Sequence, residues 1–359
     1  MDSGLFFESC KRLRLFINRR GLAMTTNRHI LFLLFFLFVT ISFIRSQDKI
    51  PTRIFRIYED NDFLNIRGNG TDNSYTAGTR FDLFYIRKKP PRFITDRLMP
   101  KAGSGSNNIF GWSLMQLMVT PNDISISRWQ PDDYSYAGAL FAIRSLYSYN
   151  AVRKYSFQTE LVAGVRGPAS FARETQTLVH TIINYQKPMG WHNQLSTMAL
   201  LNVNFTAEKQ LLAAGNFLEL IGGSQLDAGS FLDAFSIYPT IRIGKMAPYF
   251  DGYLNQYGSF FRKHKKIKTQ YYLVARPKAT FVLYNALLHG TRMHESEAND
   301  GTGYDEEERR IRHRLTDIQF GAVVAHGNVS ISYLQTHSTE YNKGLYRHNY
   351  GNISVYFRW

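Results

Sequence analysis

The chain has 359 residues and one cysteine, Cys10, which lies upstream of its one long apolar run. Beyond that run there is no thiol. Disulfides and cysteine-bearing metal sites are therefore excluded, even in an oxidising compartment. Long hydrophobic stretches are equally scarce. Ile30 to Ile44 is uncharged and apolar, but its 15 residues would reach only about 22 Å as a helix, short of the ~30 Å hydrocarbon core. No other segment is long and apolar enough to cross a membrane as a helix, and no internal repeat or low-complexity segment is present. Acidic residues are few: 28 Asp and Glu against 43 Lys and Arg leave a net charge of +15.

The short apolar run has a ready reading. Arg28 precedes it and Ser46-Gln47 follows, the pattern of a secretory signal peptide. Residues 1–46 are expected to be that signal, with Met24 as the true start and 1–23 a mis-called extension; an uncleaved anchor helix is the alternative. Residues 47–359 then form one exported domain. Without residues 1–46, which carry seven Lys/Arg and two Asp/Glu, the net charge is about +10. Such a charge suits nucleic-acid binders or proteins set among lipopolysaccharide phosphates, and export decides against nucleic acid.

The rest of the sequence reads as strands. In Ile353-Ser354-Val355-Tyr356-Phe357-Arg358-Trp359, large apolar residues alternate with smaller or polar ones, the period of a strand with one apolar face. A closing strand of this kind fits an outer-membrane barrel, and its final aromatic resembles the signal read by the barrel-assembly machinery. The edge strand of a soluble β-sandwich is the alternative. The 22 Tyr and 27 Phe suit aromatic girdles at two membrane interfaces. A mean hydropathy of −0.28 is expected where only alternate strand residues meet lipid. The fold expected is all-β, a transmembrane antiparallel up-and-down barrel of about twelve strands. They are placed at 52–62, 75–86, 108–119, 136–148, 154–166, 197–208, 216–226, 233–245, 269–279, 279–289, 313–325, 328–336 and 348–359. An even barrel makes one of these superfluous, and the division of 269–289 is the suspect one. The basic run 262–266 and the mixed run 305–310 read as solvated loops.

One segment breaks the pattern. After Gly167-Pro168, residues 169–185 repeat apolar residues at helical spacing, with Gln176, His180 and Asn184 four apart on an adjacent stripe. This predicts a short helix in an extracellular connection. If both barrel ends lie in the periplasm, the connections after the first, third and fifth strands share the outer rim. They carry Asn61, Asp62 and Thr76, then 121–133, then Gln176 and His180. By contrast, the fourth connection is little more than 150–153. His180 is the general-base candidate of this group. Asp62 and the side-chain oxygen of Asn61 are hard donors suited to Ca²⁺, although Asn-Asp is also an ordinary turn signal.

The same residues carry a family resemblance. Tyr58-Glu59-Asp60-Asn61-Asp62-Phe63 and Asp72-Asn73-Ser74-Tyr75-Thr76-Ala77-Gly78 resemble the first two motif blocks of the outer-membrane lipid A 3′-O-deacylases, the LpxR family. Asp133-Tyr134-Ser135-Tyr136-Ala137-Gly138 is similar to the third. Gly164-Val165-Arg166-Gly167-Pro168, Gln176-Thr177-Leu178-Val179-His180 and Gly190-Trp191-His192-Asn193-Gln194 resemble the fourth. The resemblance implies a twelve-stranded, Ca²⁺-dependent hydrolase of an acyl ester of lipid A in the outer membrane of a Gram-negative bacterium. It implies His180 as the base that activates water, with Asn61, Asp62, Thr76 and Gln176 completing the site and helping to hold the metal. The family pattern also has a lysine in the third connection. No lysine lies between Lys101 and Lys154 here, and Arg128 is the residue that could supply the charge. Two other readings compete: a non-enzymatic channel or structural barrel, and an outer-membrane phospholipase using Ser170, which also sits where a helix cap belongs.

Overall fold

The computed structural model describes residues 52–66, 74–87, 93–252, 256, 260–262, 265–267, 269–289 and 311–359. The expected signal 1–46 with Cys10, Asp72-Asn73 of the second motif, and the run 305–310 lie outside them. Twelve strands close into an antiparallel barrel: β1 (Arg53–Asn61), β2 (Ser74–Ile86), β3 (Asn107–Thr120), β4 (Ala137–Asn150), β5 (Tyr155–Arg166), β6 (Met198–Ala214), β7 (Leu218–Gly229), β8 (Leu232–Lys245), β11 (Thr269–Asn285), β12 (Arg314–His326), β13 (Val329–Ser338) and β14 (His348–Arg358). A small hairpin, β9 (Phe260–Arg262) with β10 (Lys265–Ile267), holds part of the basic run and stands outside the barrel ladder. Closure joins β1 to β14, from Ile54 opposite Arg358 to Asn61 opposite Gly351. Closure removes the exposed edges that a soluble sandwich would leave, and lets every strand satisfy its backbone in hydrocarbon.

The two strands expected within 269–289 are one, β11. Its ladder to β12 runs unbroken through Pro277 opposite Ile318. On the β8 side the pairing stops at Ala275 and resumes at Ala279. Pro277 and Pro239 fall at the same level of that ladder, so both missing N–H groups are lost from a single seam. β6 continues past its expected end to Ala214, through a bulge between Gln210 and Leu212.

Up-and-down order places connections 62–73, 121–136, 167–197, 230–231, 286–313 and 339–347 at one rim, opposite the rim where β1 begins and β14 ends. At the latter rim several turns are short, residues 151–154 and 327–328 among them. Strand alternation sorts side chains between lumen and outer wall. Phe81, Leu83, Trp112, Leu114, Leu201, Val203, Phe235 and Ile237 are exposed on the wall. The lumen is filled. Near the β1 start, Ile54, Phe84, Ile109, Tyr147 and Tyr356 form one buried apolar cluster. Near the far rim, Leu117, Phe141, Val162, Leu200, Ala286 and Leu287 belong to another that draws on opposite sides of the barrel. Between these clusters Asp82 takes Arg56 at 2.6 Å and Arg80 at 2.7 Å, and Arg80 also pairs with Glu160 at 2.7 Å.

A short helix, α1 (Ile94–Leu98), lies between β2 and β3. It braces the outer wall through Asp96, which is fully buried and takes Arg144 of β4 in a two-pronged pair at 2.8 and 2.9 Å. Arg144 occupies a wall register, opposite Trp112, and its guanidinium lies 5.0 Å from that ring and 5.2 Å from Phe110. An arginine there needs a buried countercharge. Asp96→Ala is expected to lower stability by about 3 kcal/mol, read by urea titration in lipid vesicles. Adding Arg144→Met should recover part of the loss. An unchanged unfolding midpoint for Asp96→Ala would show that the pair contributes nothing.

Candidate active site

The second helix, α2 (Ala172–Ile183), follows Gly167-Pro168 as expected. Gly167 has φ +93°, and a Cβ there would sit 2.9 Å from the Thr197 backbone, so only glycine suits the turn. Pro168–Ser170 makes a 3-10 turn in which the Ser170 hydroxyl donates to the Gly167 carbonyl at 2.6 Å. Ser170 thus serves the turn. Asn184, at φ +57°, ends α2 with its N–H on the carbonyls of the last turn.

α2 is amphipathic in the sense opposite to that of a water-soluble protein. Ala172, Gln176 and His180 are 1%, 3% and 5% exposed, whereas Leu178 and Ile182 are 61% and 63% exposed. The polar stripe faces the barrel and the apolar one faces away, as suits a helix lying at a membrane surface. The wall beneath it belongs to β2, β3 and β4. Gln116 donates to the Ser170 carbonyl at 2.6 Å. A Cβ on Gly138 would come within 2.3 Å of the Ala172 Cβ. Ala77, Met118, Ile124, Tyr136, Ala172 and Trp191 form a buried cluster between wall, helix and loops. Main-chain bonds from Met189 to Ile124 and from Leu195 to Tyr136, each 2.8 Å, tie the connections together.

The structure places each expected residue as follows. His180 donates Nδ1–H to the Gln186 carbonyl at 2.5 Å; a carbonyl only accepts, so the neutral form of the ring carries its lone pair on Nε2. The Tyr185 ring meets the imidazole edge-on at 5.2 Å. Gln176 Oε1 accepts from Trp191 Nε1–H at 2.7 Å. Thr76 falls at the register shift of β2 against β3, between Tyr75 and Ala77, and its hydroxyl meets that of Thr120 at 2.6 Å. Asn61 pairs with Ala77 across β1–β2, and its Oδ1 caps the following 3-10 turn through Phe63 N–H at 2.9 Å. Ala77 therefore links Asn61 and Thr76 to the cluster that holds Trp191 and, through it, Gln176. Asp62 is buried at the head of that turn. Its charge reaches Tyr346, whose phenol is pushed up mainly by burial and then by Asp133, with Asp62 a smaller cause. Arg128 is exposed on the 121–136 connection, next to Ser127, whose carbonyl takes the Asn193 amide at 2.8 Å.

Among the described residues no group of three His, Cys, Asp or Glu comes together. Asp62 and Asn61 nevertheless match Ca²⁺ in donor type, both being hard oxygens. The Asn61 oxygen keeps a second lone pair beside its cap bond. A full shell of six to eight oxygens would need main-chain, solvent or substrate donors as well.

A model of the family described as "Outer membrane protein LpxR" matches residues 31–359. The chain belongs to the LpxR family. It is accordingly a protein of the Gram-negative outer membrane, and the match extends well past the motif blocks, which end near Leu195. Among solved structures, LpxR from Salmonella typhimurium aligns with a TM-score of 0.66 at 16% identity, covering 85% of this chain and 100% of that one. That likeness shows the twelve-stranded fold. The beta domain of the Bordetella autotransporter BrkA aligns at a TM-score of 0.40 and 9% identity, over 87% of this chain and 99% of that one, too distant to carry an argument. No curated protein matches.

Sequence reading gave no role to Gln116, Glu59 or Trp191. Glu59 accepts from Thr79 at 2.6 Å and from the Asn61 amide. The signal was available in register: Gln116 interrupts the wall series Trp112, Leu114, Met118, and Glu59 the series Phe55, Ile57. A polar residue in a lipid-facing register marks a covered stretch of wall. Gly138→Ala should push the 170–172 turn outward and lower stability by about 1–3 kcal/mol. The barrel should remain closed, as measured by heat-modifiable gel mobility, while helix placement changes in limited proteolysis near 170–190. An unaltered cleavage pattern would count against the close contact.

Proposed function

We propose that this protein hydrolyses an acyl ester of lipid A, as a 3′-O-deacylase of the outer leaflet. The observation that carries this is α2, which buries Gln176 and His180 against the outer wall while turning apolar residues outward. An active site on the wall is open to substrates that arrive through the membrane. The far rim is the extracellular one in this reading, and lipid A is the substrate expected there from the family.

In the proposed mechanism His180 Nε2 takes a proton from water as that water attacks the ester carbonyl, and Nδ1–H keeps the ring oriented through Gln186. The proton then passes to the leaving sugar oxygen. Gln176 lies one turn away on the same stripe, where an N–H can meet the developing oxyanion. Thr76 and Asn61 would line the wall side, and Arg128, on the connection where the family pattern carries a lysine, would offer a fork of donors instead of an ammonium. Ca²⁺ held by Asp62 and Asn61 would add positive charge for the oxyanion. No serine nucleophile is needed, and the Ser170 hydroxyl is engaged in its own turn. The channel reading is weakened by the two apolar clusters across the lumen.

His180→Ala should lower hydrolysis by about 10²–10⁴ with the barrel still assembled, measured by mass spectrometry of lipid A after incubation with purified protein. Retained activity would remove His180 from the mechanism. Chelation by EGTA should abolish activity and Ca²⁺ restore it; full turnover in EGTA would end the metal assignment.

A further inference from the structure

The two ends of the Gln176 carboxamide have different surroundings. The Trp191 indole N–H, which can only donate, lies 2.7 Å from Oε1. That contact decides which way the amide faces, because the flipped form would set NH₂ against N–H. The NH₂ group must then point the other way, where the buried Nε2 meets no partner among the described residues. A buried donor left open on the stripe that carries His180 is a feature aimed at a ligand.

Trp191 is itself tightly held. It is 2% exposed, and its ring packs against Tyr136 at 4.9 Å. Gly190 precedes it where a Cβ would come within 2.5 Å of the Tyr136 ring, so the chain can pass only as glycine. The indole also joins the cluster of Ala77, Met118 and Ala172, which anchors it to both wall and helix.

We propose that Trp191 is a positioning residue whose indole N–H locks the Gln176 carboxamide, presenting Nε2 as a donor to the acyl ester's carbonyl oxygen. This rests on the deacylase reading. Holding the donor in place before substrate arrives spares the reorganisation that a freely rotating amide would undergo as charge develops on that oxygen.

The test uses the purified full barrel in mixed micelles with lipid A, comparing wild type, Trp191→Phe, Gln176→Glu and the double variant. Gln176→Glu still accepts the indole N–H but has no NH₂, and should lose about 10²–10³ in kcat. Trp191→Phe keeps the aromatic packing and should lose about tenfold in kcat, with KM little changed. In the Gln176→Glu background Trp191→Phe should cost nothing more. An equal loss in both backgrounds, or unchanged kcat for Trp191→Phe alone, would overturn the positioning role. Hydrogen exchange of the indole N–H, read by NMR, supplies a second measure that needs no turnover. It should be slow in wild type and Gln176→Glu and fast in Gln176→Met; fast exchange in wild type would also overturn the proposal. A protected indole in a protein inert toward lipid A would sink the deacylase reading, and the donor role with it. An active enzyme with additive losses would sink only the part given to Trp191.

Discussion

The closeness of α2 to the outside of the barrel governs the chemistry of this protein, and Gly138 governs that closeness. With no side chain at that point of β4, the turn at Ser170 and Ala172 settles directly onto the wall. The polar stripe is thereby buried against the wall. Two of its polar atoms find partners in the loops, while Gln176 Nε2 is left open. The indole holds Gln176 and the Gln186 carbonyl holds His180, while the Gln116 amide ties the preceding turn to the wall through the Ser170 carbonyl. A helix standing further off would leave its amide and imidazole to whatever lipid or water intruded, and would lose the fixed geometry that the proposed hydrolysis needs.

The same economy explains why polar residues occupy lipid-facing registers at two levels of the wall. Near the far rim they are covered by α2; lower down, Arg144 is covered by α1 and matched by Asp96. α1 arises from the β2–β3 connection and α2 from the β5–β6 connection, yet both lie against β4, while exposed apolar residues of β6, β7, β8 and β11 meet the membrane directly. The lumen follows a different rule. Asp82, Arg56, Arg80 and Glu160 are paired there between two apolar clusters, and Asp60 takes the Tyr58 and Tyr75 hydroxyls.

Much of the fold was legible from alternation alone, because a strand between lipid and lumen has the simplest periodicity in protein sequence. The termination of β1 near Asn61, the break at Gly167-Pro168 and the short fourth connection all follow from local chemistry. The division of 269–289 did not follow from alternation, and β11 runs through it because the β12 ladder is unbroken at Pro277. The helix was visible but its orientation was not. An amphipathic pattern states that two faces differ, and only the surroundings state which one is buried. Trp191 lay beyond reach for a related reason. Its partner is fifteen positions away across a loop, and nothing in local spacing pairs an indole with a particular amide. Glu59 and Gln116 could have been found by comparing each strand's two registers.

The filled interior has a consequence for the cell. A hydrophilic drug or bile salt that reached the mouth of this cylinder would face Leu117, Phe141 and Leu287 packed across its bore, with neutralised charges and a second apolar layer behind them. Among the described residues, layers of that kind oppose the entry of polar solutes along the bore.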